Sequence, residues 1–147
     1  MAKIEKYEDL KCWQQSRLLV NQVFEVISDS SLKNEYALAD QLKRSAISVM
    51  TNIAEGFSRY HKKDFIRFLD YAQSSSQEVK SLLYIVLDQK NVLTEKINEI
   101  QNNCDHCRAM ILSLITHINS SLKNSNQTNE PETIYISEEH ISKSKNH

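Results

Sequence analysis

A short basic segment of this sequence has residues suited to binding the phosphates of a nucleic acid. Ammonium and guanidinium groups bind phosphate oxygens, and an exposed tyrosine ring can stack on an unpaired base. Here the cations surround a single acid, Asp64, and two further cations precede them in the chain. The candidate nucleic-acid-binding residues are Lys43, Arg44, Arg59, Tyr60, His61, Lys62, Lys63 and Arg67. A solvated turn is the competing interpretation, and the sequence leaves both open.

The stretch Cys104-Asp105-His106-Cys107 brings together residues that bind metals or exchange electrons. A zinc site normally needs four ligands, and no second close pair of ligands accompanies this one. A redox pair needs thiols at the N-terminus of a helix, whereas these lie in the middle of a predicted helix. Both cysteines fall on an apolar seam, so we favour small buried side chains and expect neither a metal nor a cofactor.

A stripe of polar residues runs beside the apolar face of the second predicted helix and has a counterpart on the third. It is either the flank of a helical bundle or a subunit interface in which polar groups fix the register. Two of its carboxylates are conceivable acid–base groups, but we expect them to accept hydrogen bonds and identify no catalytic residue. The stripe comprises Gln41, Ser45, Ser48, Asn52, Glu55 and Glu78.

The composition excludes several classes of protein. The 147 residues include one glycine and one proline, and the formal net charge is -1. Glycine-rich phosphate loops, a G-x-S-x-G elbow and turn-rich sheets all need more glycine. No apolar run approaches the roughly 20 residues of a membrane span, and the N-terminus lacks an apolar leader. We therefore expect an all-α cytoplasmic protein, with Gly56 ending a helix in the left-handed conformation.

The elements that must position these residues are helices. Apolar residues recur every three or four positions over 10–28, 34–56, 62–90 and 94–122, with Asp9 as the predicted N-cap of the first helix. Similar lengths and short connections predict an antiparallel up-down-up-down four-helix bundle over residues 1–123. Residues 124–147 are polar and contain Pro131, so we expect a flexible tail, with weak strand-like alternation at 133–137.

Three blocks of the sequence resemble the bacterial four-helix-bundle family called 23S rRNA intervening-sequence proteins, over about residues 7–122. The first block is Tyr7-Glu8-Asp9-Leu10 with Trp13. The second joins Leu38, Gln41-Leu42-Lys43-Arg44-Ser45-Ala46 and Ser48 to Asn52-Ile53-Ala54-Glu55-Gly56. The third is Phe65, Phe68-Leu69, Ala72, Ser76 and Glu78, and it departs from the family at Ser75, where glycine is common.

This resemblance implies a bundle that assembles into a ring, with a homopentamer expected. The accessory variability proteins of diversity-generating retroelements look like relatives with the same bundle, and those proteins bind nucleic acid and a reverse transcriptase. The resemblance supplies no catalytic residue.

Our leading hypothesis is a non-enzymatic oligomer that binds nucleic acid, RNA in particular, through a basic rim near the connection between helices two and three. The alternative is a protein-interaction scaffold, or an accessory subunit that docks a reverse transcriptase. A small enzyme has the least support, and no membrane partner is expected.

Overall fold

The structure, a computed structural model, describes residues 2–89, 92–128 and 135–142. Four long helices dominate these residues: α1 (Lys11–Ser28), α2 (Tyr36–Phe57), α3 (Lys62–Gln89) and α4 (Thr94–Thr128). Three single-turn 3-10 helices lie at Tyr7–Asp9, Ser31–Asn34 and Glu138–His140, and two short strands form at Ala2–Lys3 (β1) and Tyr135–Ile136 (β2). The predicted all-α four-helix bundle is confirmed.

The helices pack in a square, because α1 and α3 each lie against both α2 and α4. Each helix contributes one apolar stripe at intervals of three or four residues, which is the spacing that places side chains on a single face. Fully buried members of these stripes include Leu19, Leu42, Ile53, Leu69, Leu83, Ile111 and Ile118. The connection between α2 and α3 lies at one end of the bundle, and the other two interhelical connections lie at the opposite end. Among the described residues, no helix combines the length and apolarity needed to cross a membrane.

The start of α1 differs from the prediction that Asp9 caps it. Asp9 lies in a 3-10 turn, and α1 follows Leu10, which has extended backbone angles (φ -72°, ψ 125°). Leu10 is fully buried and forms a bridge with Ile141. This long-range pairing fixes the chain as it enters the helix, so the local capping rule does not apply there.

Gly56 does not end α2 in a left-handed conformation, so that prediction was wrong. It is buried within α2, which ends one residue later at Phe57. Ser58, which follows the helix, has right-handed helical angles. A Cβ at position 56 would lie 2.6 Å from Cβ of Phe68 and 3.3 Å from the carbonyl oxygen of Phe65. The glycine is therefore required by the close approach of α3 rather than by its own backbone angles.

The end of the chain is more structured than the flexible tail that we predicted for residues 124–147. Helix α4 continues to Thr128, since neither glycine nor proline interrupts it. Residues 135–142, here called the C-terminal strap, return to the N-terminus, where β2 pairs antiparallel with β1. Pro131 lies outside the described residues. The domain boundary at residue 123 itself stays a prediction.

Candidate nucleic-acid interface

The connection between α2 and α3, together with the first turns of α3, forms a compact projection that we call the α2–α3 tip (residues 58–67). Ser58 closes α2, because both its N–H and its hydroxyl donate to the carbonyl oxygen of Ala54, at 3.2 and 3.0 Å. The carbonyl of His61 opens α3 by accepting the N–H groups of Asp64 and Phe65 at 3.1 and 3.2 Å. Only a few residues separate the two helices, so the side chains of the connection point outward from the end of the bundle.

Two arginines of this tip pack on one aromatic ring. The guanidinium carbons of Arg59 and Arg67 lie 4.7 and 5.4 Å from the centre of the Phe68 ring. Each guanidinium also contacts a carboxylate on its own helical turn, Glu55 at 3.1 Å and Asp64 at 3.2 Å. Cation–π contact and ion pairing hold both arginines in place while their side chains stay about half exposed.

The most accessible side chain of the tip is Tyr60, which is 92% exposed. Its ring packs edge to face against His61, with a centroid separation of 5.0 Å. Such an arrangement leaves a face of the tyrosine open to a flat ligand. Lys63 is also exposed and lies in the first turn of α3. The tip thus presents an open aromatic ring beside three exposed cations, Arg59, Lys63 and Arg67.

Three of the predicted binding residues do not belong to this surface. Lys62 is only 4% exposed, because it lies three residues before Phe65 on the inward face of α3. Lys43 and Arg44 lie roughly 20 Å from the tip along α2, at 1.5 Å per residue. Lys43 packs over the ring of Phe24 at 5.1 Å, and Arg44 pairs with Asp40 at 2.8 Å. The predicted set therefore divides, and Arg59, Tyr60, His61, Lys63 and Arg67 are the residues brought together.

The polar stripe lies along the seam between α2 and α3 within one chain. Gln41 donates to Glu78 at 2.6 Å, and the hydroxyls of Ser48 and Ser75 lie 3.0 Å apart. Ser75 thus contributes a hydrogen bond across the seam. These contacts fit the interpretation of the stripe as a bundle flank.

Other members of the stripe make contacts within α2 or its end. Asn52 donates to the carbonyl of Ser48 at 2.8 Å, and Ser45 donates to that of Gln41 at 2.8 Å. Glu55 is occupied by Arg59, as described above. Both carboxylates of the stripe therefore make structural contacts, Glu55 with Arg59 and Glu78 with Gln41. Whether the stripe also contacts a second chain stays a prediction.

Residues 8–113 match the family described as 23S rRNA-intervening sequence protein. This chain belongs to that family. The match includes the α2–α3 tip and the whole of the polar stripe. No curated protein matches the chain.

A solved relative supports the fold of this family member. It is a protein of unknown function from the S23 ribosomal protein family of Bacteroides thetaiotaomicron VPI-5482. The two chains share 19% identity with a TM-score of 0.64, over 71% of this chain and 97% of the other. At that identity the likeness establishes the helical architecture alone.

The cysteines of this family member lie in the bundle interior rather than at the α2–α3 tip. Cys12, Cys104 and Cys107 are at most 3% exposed, and burial raises the pKa of each thiol to about 12. A thiol with so high a pKa is a poor nucleophile and a poor metal ligand. Within the described ranges, no three His, Cys, Asp or Glu side chains come together to hold a metal ion.

The candidate residues taken from the sequence did not include Phe68, which lies at the centre of the contacts made by the two arginines. Helical spacing places Phe68 on the apolar side of α3, and it is 8% exposed. Its ring nevertheless supports both arginines and packs edge to face with Tyr71 at 5.8 Å. Arg67 is adjacent to Phe68 in the sequence, which is a signal that the two could be in contact. The contact between Arg59 and Phe68 depends on how the connection folds.

Proposed function

We propose that this protein binds RNA without catalysing a reaction, and that the α2–α3 tip makes the contact. The observation that carries the proposal is the open ring of Tyr60 beside the exposed cations Arg59, Lys63 and Arg67. The cations would contact phosphates, and the ring would stack on an unpaired base. RNA is favoured over DNA because RNA recognition commonly uses unpaired bases in loops, and because the family's name refers to 23S rRNA.

A net charge of -1 means that the whole chain does not attract polyanions. Binding would therefore depend on the local arrangement of the tip. Assembly into a ring, with five copies as the proposed number, would repeat the tip around a rim and multiply weak contacts. Light scattering tests this part: the expected mass is five times that of the chain, and a monomer would exclude the ring.

Charge variants test the tip directly. Arg59→Gln/Lys63→Gln removes two of three phosphate contacts, and its matched control, Lys33→Gln/Lys96→Gln, removes two exposed cations at the opposite end of the bundle. Each contact to single-stranded nucleic acid contributes about fivefold at roughly 0.1 M salt, so the tip variant should bind about 25-fold more weakly. Fluorescence anisotropy with a labelled single-stranded RNA measures the affinity of each double variant. Equal affinities for the two variants would exclude the tip.

Stacking is tested separately by Tyr60→Ala. Removal of one stacking ring should weaken RNA binding by about tenfold. Tyr84→Ala is the matched control, because Tyr84 is also an exposed tyrosine, at 54%, but lies far along α3. An equal effect of both substitutions would contradict a stacking role for Tyr60. The same titrations with DNA of equal sequence decide between the two nucleic acids.

A second candidate function, a scaffold for a protein such as a reverse transcriptase, is favoured by a different surface. Phe24 on α1 and Ile47 on α2 are 42% and 40% exposed, and Lys43, which lies over the ring of Phe24, precedes Ile47 by one turn of α2. Exposed apolar groups of this kind are used for contacts between proteins. In that case Phe24→Glu/Ile47→Glu would abolish the capture of a co-expressed reverse transcriptase, while RNA binding at the tip would be unchanged.

A further inference from the structure

The C-terminal strap is fastened to the N-terminal segment through backbone groups. In the β1–β2 pair, Ala2 faces Ile136 and Lys3 faces Tyr135. Further along, the N–H of Ser142 donates to the carbonyl of Asp9 at 2.9 Å. The strap therefore closes over the residues that lead into α1.

Side chains from α1 and α4 complete this attachment. The amide of Gln14 donates to the carbonyl of Ser142 at 2.9 Å. On α4, Nε2 of His117 lies 2.7 Å from the carbonyl oxygen of Tyr135. Since a carbonyl oxygen only accepts, this nitrogen is the donor to the strap. Ile136 is the apolar anchor, since it is fully buried.

His140 is the titratable group at the centre of the attachment. It is 8% exposed, and its ring centre lies 5.6 Å from that of His117. Its Nε2 atom lies 3.3 Å from a carboxylate oxygen of Glu139 without hydrogen-bond geometry, and the described residues offer that atom no other hydrogen-bond partner. The positive charge of Lys11 in α1 also acts on His140.

We propose that the strap is a pH-sensitive clasp, which is docked while His140 is neutral and released when His140 takes up a proton. A buried imidazolium must place two N–H groups, and here one ring nitrogen has no acceptor in place. It would also lie against the ring of His117 and be repelled by the charge of Lys11. Glu139 acts in the opposite sense among the described residues, and it is largely exposed.

The direction of the effect follows from the pKa of His140. Burial lowers this pKa below 6.5, with smaller contributions from His117 and Lys11 in the same sense and from Glu139 in the opposite sense. The released strap therefore binds a proton more readily than the docked strap. Docking is strongest above pH 6.5 and weakens as the pH falls below it, by at most tenfold per pH unit for one proton.

Hydrogen exchange at assigned backbone amides tests the clasp in the full-length protein. The amide of Ser142 reports on the strap, and that of Leu69 in α3 reports on the bundle. After correction for intrinsic exchange rates, the protection of Ser142 should fall several-fold between pH 7.5 and 5.5. That of Leu69 should remain constant. Equal protection of Ser142 at both pH values would overturn the proposal, as would a parallel loss at Leu69.

Two variants with one control assign the effect to the imidazoles. His140→Phe keeps a buried ring without a titrating group, so Ser142 should keep the same protection at both pH values. His106→Gln alters an exposed histidine of α4 and should behave like the wild type. If His140→Phe prevents docking, the variant His117→Gln provides the test, because it retains a donor for Tyr135 but removes a ring that lowers the pKa of His140. Its pH effect should be smaller than that of the wild type, and an equal or larger effect would contradict the clasp.

Discussion

The close approach of α2 and α3 at Gly56 makes a specific prediction about the substitution Gly56→Ala. The new Cβ would lie 2.6 Å from Cβ of Phe68, about 0.8 Å inside the 3.4 Å at which ordinary contact begins. It would also meet Cδ2 of Phe65 at 3.0 Å. A Cβ atom is fixed to its backbone and cannot rotate away, so α3 has to move as a unit.

The magnitude is a balance between two opposing effects. Overpacking of a tight interface typically costs about 1–3 kcal/mol. Alanine in place of glycine within a helix stabilises the folded state by roughly 0.8–1 kcal/mol through its higher helix propensity. Because the clash is with a Cβ atom that cannot rotate away, the upper part of the overpacking range applies, about 2–3 kcal/mol. We therefore expect Gly56→Ala to lower the free energy of unfolding by a net of about 1–2 kcal/mol, which corresponds to a fall in Tm of roughly 3–7 °C for a chain of this size.

Urea unfolding followed by circular dichroism measures this change. The control Ala109→Gly, at an exposed position within α4, calibrates the helix-propensity contribution by itself and should cost about 1 kcal/mol. If Gly56→Ala is as stable as the wild type or more stable, the close contact with Phe68 is wrong. A displaced Phe68 should in addition weaken RNA binding, because it supports both arginines of the tip.

The remaining predictions concern the interior. The three buried cysteines are Cys12, Cys104 and Cys107. They should not react with a thiol reagent at pH 8 in the native protein, and all three should react in denaturant. Rapid reaction of the native protein would contradict their burial. Asn103 of α4 accepts from Gln15 and donates to Gln22, at 2.5 and 2.7 Å, and is 7% exposed. Asn103→Ala should therefore lower the free energy of unfolding by about 1–3 kcal/mol in the same urea assay. An unchanged midpoint of urea unfolding would show that these hydrogen bonds do not stabilise the fold.

Helical spacing was a sufficient guide to the bundle, because each helix has an apolar stripe of its own. The same spacing also indicates where Lys62 lies. Residues 62, 65 and 69 share one face of α3, and Phe65 and Leu69 are both buried. We assigned Lys62 to an exposed patch from its charge, whereas its position along the helix places it inside.

Other features depend on residues far apart in sequence, which local patterns do not reveal. The role of Gly56 is set by Phe65 and Phe68 on another helix, so a rule based on helix ends gave the wrong reason for it. The docking of Ile136 requires its pairing with Ala2, although the alternation at 133–137 indicated a short strand. The grouping of Arg59 with Arg67 on Phe68 likewise arises only when α3 folds back against α2.

The salt dependence of RNA binding tests the central proposal, that the α2–α3 tip contacts phosphates, most directly. For a single-stranded RNA short enough to reach only one tip, three contacts should give a plot of log Ka against log salt concentration a slope of about -2 for the wild type. Arg59→Gln/Lys63→Gln should reduce this to about -0.7, and the control Lys33→Gln/Lys96→Gln should leave it unchanged. A slope that is the same for both variants, or an affinity that does not depend on salt, would contradict the assignment of the tip.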